Sequence, residues 1–412
     1  MIDIVKSKFF ENIILILLAL KLYFSAMLYS ESAIIYYLLS LVGIALAVKL
    51  RFNFLQPTDL SLNFYIISYI FLGYLFVSIL FVNWQLLFGW RFAAYQVLLF
   101  VPFIGLLIFR INFSYQKFWK FLIITTSFSF IWLALIVYEG DFVRDQGFLS
   151  DPINRGNMGM LFGLVALVAI FAVHGYGWKL LAFVFFLSGV VLSLVSGSRG
   201  GWAALLLSVC TIVFVLYRYR DLKSIILIAF SMLFIFLFVV LFWDHLPVAD
   251  RVSLALNDIE RFLEGDYHSS VGYRLVLWQV SFHAFLEAPF FGWGWGNFNE
   301  AHQYMIDHGV VGDSRMFGHP HNQLLFFLVE IGLVGTLLFT VFLLYPAYQA
   351  IKHLSQKKKL GESVYISLLI IVVTEALMEF SLTDDPMTQP YFVVVFLFFS
   401  LFCLRFLSRQ NL

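Results

Sequence analysis

The sequence predicts an all-α polytopic membrane protein with about twelve transmembrane helices and one helical cap outside the bilayer. Three observations predict it. Hydrophobic residues make up 62% of the chain and charged residues 12%, against about a quarter charged in soluble domains. The apolar residues gather into runs long enough, or nearly so, to cross ~30 Å of hydrocarbon. The basic residues then sort by connection, rich in one set and poor in the alternate set, as the positive-inside rule requires.

Taken in order, the runs lie near 12–29, 33–50, 63–82, 91–109, 119–138, 157–174, 180–196, 202–217, 225–243, 322–345, 364–382 and 391–407. Lys6 and Lys8 precede the first run in the manner of a signal peptide, but no small-residue cleavage site follows, so it is read as a membrane helix. The clusters Lys6/Lys8, Lys49/Arg51, Arg110/Lys117/Lys120, Lys179, Arg218/Arg220/Lys223, Lys352/Lys357/Lys358/Lys359 and Arg405/Arg409 fall on every second connection. That alternation places both termini in the cytoplasm. Trp84, Trp90, Trp119, Trp178, Trp202 and Trp243 sit at run ends, where an interfacial belt is expected. Cys210 and Cys403 fall within runs and read as packing residues, with no disulfide or thiol metal site implied. A net charge of +1 gives no footing for a nucleic acid.

The sorting leaves the outer face without lysine, since Lys21 lies within the first run. Its basic residues are Arg91, Arg144, Arg155, Arg199, Arg251, Arg261, Arg274 and Arg315. Arginine's planar fork grips phosphate in a bidentate way that an ammonium cannot. An arginine-only outer face therefore suits a phosphorylated lipid.

Residues 1–412 read as one integral membrane domain, with 244–321 inserted outside the membrane between helices nine and ten; 139–156 is a shorter outer loop. The insertion carries helical punctuation. Ser253 is placed to cap a helix with Leu256, Ile259 and Leu263 on one face and Gly265 as its stop. Residues 269–287 read as an apolar amphipathic helix lying at the interface. Gly292–Gly296 is a tight aromatic loop, and 297–308 a short helix.

Three motifs carry chemistry. At the start of the tenth run, Gly318-His319-Pro320-His321-Asn322 is followed by Gly332-x-x-Gly335. Pro320 favours extended backbone before it, and Asn322 can cap the following helix. A histidine there is suited to proton transfer, and the positive end of the helix dipole favours its neutral form. Gly332 and Gly335 read as close packing. At the end of the seventh run, Ser196-Gly-Ser-Arg199-Gly-Gly201 can present backbone N–H groups to an anion. On the amphipathic helix, Ser270-Val-Gly-Tyr273-Arg274-Leu sets an arginine in an apolar stretch, where an anionic partner offsets its burial.

This ordered set resembles the O-antigen ligase family, within the group of lipid-linked glycan ligases and polymerases. The match is His321-Asn-x9-Gly-x-x-Gly335, the Ser-Arg199-Gly turn, Gly-Tyr273-Arg274-Leu and, upstream, Ala255-Leu-Asn-Asp258; it covers roughly 190–340. The resemblance implies a GT-C-like membrane glycosyltransferase that moves a glycan from undecaprenyl pyrophosphate to lipid A–core sugar on the periplasmic face, without metal or other cofactor. It assigns the pyrophosphate to Arg199 and Arg274 and the base to His321, with His319 secondary. Arg91, Asn322, Glu330 and Tyr273 are candidate supporting residues. The expected partners are the lipid-linked donor, the lipid A–core acceptor and membrane lipids, around a monomer.

Other readings fit less of the chain. A major-facilitator transporter divides six plus six with its long loop inside; here the long loop is outside, after helix nine. An O-antigen polymerase or a protein O-oligosaccharyltransferase would use the same donor chemistry with another acceptor. Asp384-Asp385 offers a divalent ion site with a histidine, or else a helix-end or arginine-pairing role. Among ionisable residues within runs, Arg91, Glu330, Glu375 and Glu379 are expected to pair and fix helix register.

Overall fold

A computed structural model describes residues 31–49, 59–82, 84–88, 90–110, 114–139, 151–243, 246, 248–312 and 316–409. Among these the protein is helical throughout, with no strand. The helices are α1 (Glu31–Lys49), α2 (Asp59–Val82), α3 (Trp90–Gln96), α4 (Val101–Arg110), α5 (Tyr115–Glu139), α6 (Pro152–Ala172), α7 (Tyr176–Ser196) and α8 (Arg199–Arg218). They continue as α9 (Leu222–Leu241), α10 (Val248–Leu263), α11 (Ser270–Glu287), α12 (Phe298–Asp307), α13 (Gln323–Gln356), α14 (Glu362–Thr383) and α15 (Pro390–Arg409).

Among the described residues ten segments are long and apolar enough to cross a membrane, and they coincide with the last ten expected runs. The first run lies outside the described residues. The second forms α1, of which only Tyr36–Val48 is strongly apolar. The fourth span, Arg91–Phe109, is not one continuous α-helix: α3 passes through a 3-10 turn, Val97–Phe100, into α4. Pro102 lacks the N–H that would extend the α-helical ladder there.

Glycine sets the tightest packing. On α6, Gly159 and Gly163 face Gly189 of α7, where an added Cβ would lie 2.5 Å from the Gly159 carbonyl oxygen and 2.7 Å from Gly163 Cα. Small residues at that spacing let helices approach closely where lipid supplies no hydrophobic drive between them. As a result α6 is almost wholly buried, as is α15, while α9 stands at the edge with Ile226, Phe230, Phe236 and Leu241 exposed for lipid. Trp119 departs from the expected interfacial belt: it is fully buried against Tyr115 and Phe118.

The three cap helices α10, α11 and α12 lie between α9 and α13. The first begins at Val248, ahead of the expected Ser253 cap; the Ser253 hydroxyl instead donates to the Asp250 carbonyl within the helix. Asn297 precedes α12 without a side-chain cap bond.

The cap is locked to the membrane helices by a break in α13. Gly332 adopts φ 62°, ψ −170° inside the helix, a conformation open essentially to glycine alone. Backbone groups freed by the break find partners on the cap. The N–H groups of Trp293 and Gly294 donate to the Val329 and Glu330 carbonyls at 2.8 and 2.9 Å, and those of Leu333 and Val334 donate to Pro289 and Phe290 at 2.8 and 3.1 Å. Irregular backbone within a membrane helix survives only when so satisfied. Gly292 and Gly332 meet backbone to backbone, and Gly335 leaves room for the Tyr74 ring, whose hydroxyl donates to the Ile331 carbonyl at 2.8 Å.

Candidate active site

The histidine loop is held at both ends and in the middle. Asn322 caps α13, its Oδ1 accepting from the Leu324 and Leu325 N–H groups at 3.1 Å each, while its amide donates to the Leu382 carbonyl at 3.3 Å. Arg91 donates to the Gly318 carbonyl at 2.8 Å, stacks over Phe326, and places its other terminal nitrogen 3.8 Å from fully buried Glu330. The Trp278 indole N–H, from α11, donates to the Pro320 carbonyl at 3.1 Å. Between these anchors His321 is held at φ +50°. Left-handed backbone is uncommon outside glycine, and such strain gathers at functional sites.

Each histidine meets one carboxylate of the turn after α14. His321 Nδ1 lies 3.3 Å from Asp384 Oδ1, and His319 Nδ1 lies 3.4 Å from Asp385 Oδ1. The rings sit 4.3 Å apart, and the His321 backbone N–H points at His319 Nδ1 at 3.4 Å. Tyr273 packs on Phe317, which packs on His321, and the Tyr273 hydroxyl meets His268 Nδ1 at 3.2 Å.

The two pairs differ electrically. Burial, then the charges of His321, Arg91 and Arg274, push His319 down to about 4. Burial and the adjacent Asp384 push Asp385 up to about 8. Burial alone would raise Asp384 too, but the hydrogen bond with His321 and the charges of both histidines hold it below the usual carboxylate range. Two neighbouring carboxylates in a buried site do not both ionise cheaply. Near neutrality Asp384 is therefore the carboxylate, Asp385 a carboxylic acid and His319 a neutral ring. One atom each from His319, His321 and Asp384 also fall within 4.8 Å of one another, a spacing open to a divalent cation.

A cleft of about 290 Å³ adjoins this loop, with Trp278 in its wall. Among the described residues Arg199, Arg251 and Arg274 line it, and no carboxylate does. The Arg199 turn is built for exposure. Gly197 ends α7 in the left-handed conformation, and Ser198 begins α8 with its hydroxyl donating to Asn157 Oδ1 at 2.6 Å rather than capping the helix. The Asp151 side chain caps α6, positioning Asn157. Gly200 and Gly201 serve packing: a Cβ on the first would meet the Thr383 hydroxyl and on the second the Ser193 hydroxyl.

The structure thus sets Arg199 and Arg274 in one cleft and His319, His321 and Asn322 on the loop beside it, with Arg91, Glu330 and Tyr273 packed around that loop. One expectation needs correction. Glu375 bonds the Thr211 hydroxyl at 2.8 Å rather than an arginine. Asp384, Asp385 and Arg251 were not singled out for the roles their positions give them. Their signal in the sequence was slight: an acidic pair after an apolar run, and one arginine among several.

A family model described as O-antigen ligase matches residues 181–340. An uncharacterised protein of Haemophilus influenzae is 29% identical over 227 residues, which is 54% of this chain and 57% of that protein, so the match spans little more than half of either. The 181–340 match takes in the Arg199 turn, the cap and the histidine loop through Gly335. Over that segment the chain is similar to the O-antigen ligase family.

Proposed function

We propose that this protein is a glycosyltransferase that moves O-antigen glycan from undecaprenyl pyrophosphate to lipid A–core oligosaccharide at the periplasmic face of the inner membrane. One observation carries the reading: the arginine cleft and the histidine loop share a wall, because Trp278 lines the first and hydrogen-bonds the second. Anion-binding groups and a proton acceptor thus stand side by side.

The chemistry divides between them. His321 directs its Nδ1–H to the Asp384 carboxylate, which leaves Nε2 to take the proton of the acceptor hydroxyl. That tautomer follows from the hydrogen-bond network. The acceptor oxygen attacks the anomeric carbon as the bond to pyrophosphate breaks, and this single displacement inverts the centre. Arg199 and Arg274 stabilise the charge growing on the leaving group. His319 has the opposite arrangement. Its Nδ1 accepts the His321 backbone N–H, so in the neutral ring Nε2 carries the hydrogen and is not free to act as the base.

The reading needs no metal. Transfer by purified protein is expected to survive EDTA. If chelation stopped turnover and magnesium or manganese restored it, the His319–His321–Asp384 group would be a metal site and the base mechanism would fall. Deleting the gene and resolving lipopolysaccharide on a gel tests the acceptor. Loss of a ligase leaves bare core while carrier-linked polymer accumulates. Core bearing a single repeat would instead identify a polymerase, and unchanged lipopolysaccharide with loss of protein glycosylation a protein-modifying transferase.

A further inference from the structure

We propose that Arg251 is a third phosphate ligand, carried on the cap, which makes the cleft selective for a diphosphate over a monophosphate lipid. The inference rests on the pyrophosphate reading of Arg199 and Arg274 and adds a residue and a selectivity to it.

Arg251 is on the inward side of α10. It shares a helix face with half-buried Ala255, buried Asp258 and half-buried Phe262, while Leu256, Ile259 and Leu263 are exposed on other faces. Asp258 fixes the rotation of that helix, its carboxylate accepting the Val271 N–H at 3.2 Å at the start of α11. The same contact ties Arg251 to the element bearing Arg274. Across the cleft, the Arg251 stem lies against Gly197. A Cβ built there would stand 3.0 Å from Arg251 Nε and 3.4 Å from its Cγ. Glycine at 197 therefore serves the left-handed turn and the approach of this arginine together.

The charge balance points to an anion. Among the described residues three arginines and no acidic side chain line the cleft, and neither Arg199 nor Arg251 forms an ion pair. The uncapped start of α8 adds its N–H groups on the same side. A lipid monophosphate would leave much of this charge unmatched, whereas each phosphate of a lipid diphosphate brings its own. The ligands come from three elements: α8 in the membrane bundle, and α10 and α11 in the cap. A bound diphosphate would bridge the bundle and cap.

The test measures binding of undecaprenyl pyrophosphate and undecaprenyl phosphate to full-length protein in nanodiscs. Arg251→Ala should weaken the pyrophosphate complex about ten- to hundred-fold, the value of a charge-assisted hydrogen bond, and the monophosphate complex much less. Arg251→Lys should recover only part of the loss. Equal weakening of both lipids would overturn the selectivity. Equally strong competition by phosphatidylglycerol would make Arg251 a headgroup contact and overturn the proposal. Unchanged pyrophosphate binding in Arg251→Ala, with loss in Arg199→Ala, would remove Arg251 and leave the parent reading standing. Unchanged binding in Arg199→Ala and Arg274→Ala as well would sink that reading.

Discussion

His319 and His321 are two residues apart but meet different carboxylates in different protonation states, so substitution can separate them. Removing a general base costs about 10²–10⁴-fold in rate. His321→Ala is therefore expected to fold, bind the lipid-linked donor and scarcely transfer, while His319→Ala keeps more activity. The reverse ranking in a turnover assay would exchange their roles, and two active variants would end the base assignment. Asp385 gives a pH prediction. Its carboxyl is pushed up to about 8, so it is neutral below that pH and ionises as pH rises through it. Ionisation would set a second negative charge beside Asp384, near the proposed pyrophosphate site. Turnover is expected to fall through about pH 8, and Asp385→Asn, which cannot ionise, should lose that alkaline fall. A fall of the same midpoint in Asp385→Asn would assign it to another group. At this scale the arginines and histidines were legible because each interrupts apolar or glycine-rich sequence at a span end. Asp384-Asp385 was legible as a possible neighbour of a histidine, but which carboxylate meets which ring was not, since Asp384 lies 63 residues beyond His321 and nothing local ties them.

The break in α13 shows the limit of reading elements from sequence. Gly332 and Gly335 in an apolar run read as close packing, and packing is one of the things they do. The interruption itself was hidden, because it depends on a loop some forty residues earlier supplying backbone partners for Val329, Glu330, Leu333 and Val334. Gly292 on that loop has φ +73°, and a Cβ there would stand 2.6 Å from the Val329 carbonyl oxygen and the Gly332 nitrogen. Gly265, which ends α10 at φ +87°, faces open space. Both Gly→Ala changes carry left-handed strain of about 1–2 kcal/mol, but only Gly292→Ala must also push a pair of backbones apart. Its thermal midpoint in detergent should fall well below that of Gly265→Ala. Equal midpoints would mean that the junction yields without cost and does not lock the cap.

The span pattern was the most legible property of the whole molecule, because hydropathy acts over windows of about 20 residues and tolerates local error. What it missed were features set by neighbours: the 3-10 turn within the fourth span, and the interior place of Trp119. Sidedness follows from α13. Its 34 residues extend roughly 50 Å at ~1.5 Å per residue, more than the ~30 Å hydrocarbon core. Its start at the histidine loop and its end at Lys357–Lys359 must then lie on opposite sides of the bilayer. Since the sequence sorts lysine to the second side, the cap and the cleft are expected outside. In a background with Cys210 and Cys403 replaced by alanine, Glu264→Cys in the cap should react with an impermeant maleimide on spheroplasts. Lys358→Cys should react only after the membrane is opened. Both positions are exposed, so burial would not mask either one. Labelling of Lys358→Cys on sealed spheroplasts, with Glu264→Cys protected, would invert the topology and place the arginine cleft in the cytoplasm, away from the proposed periplasmic acceptor.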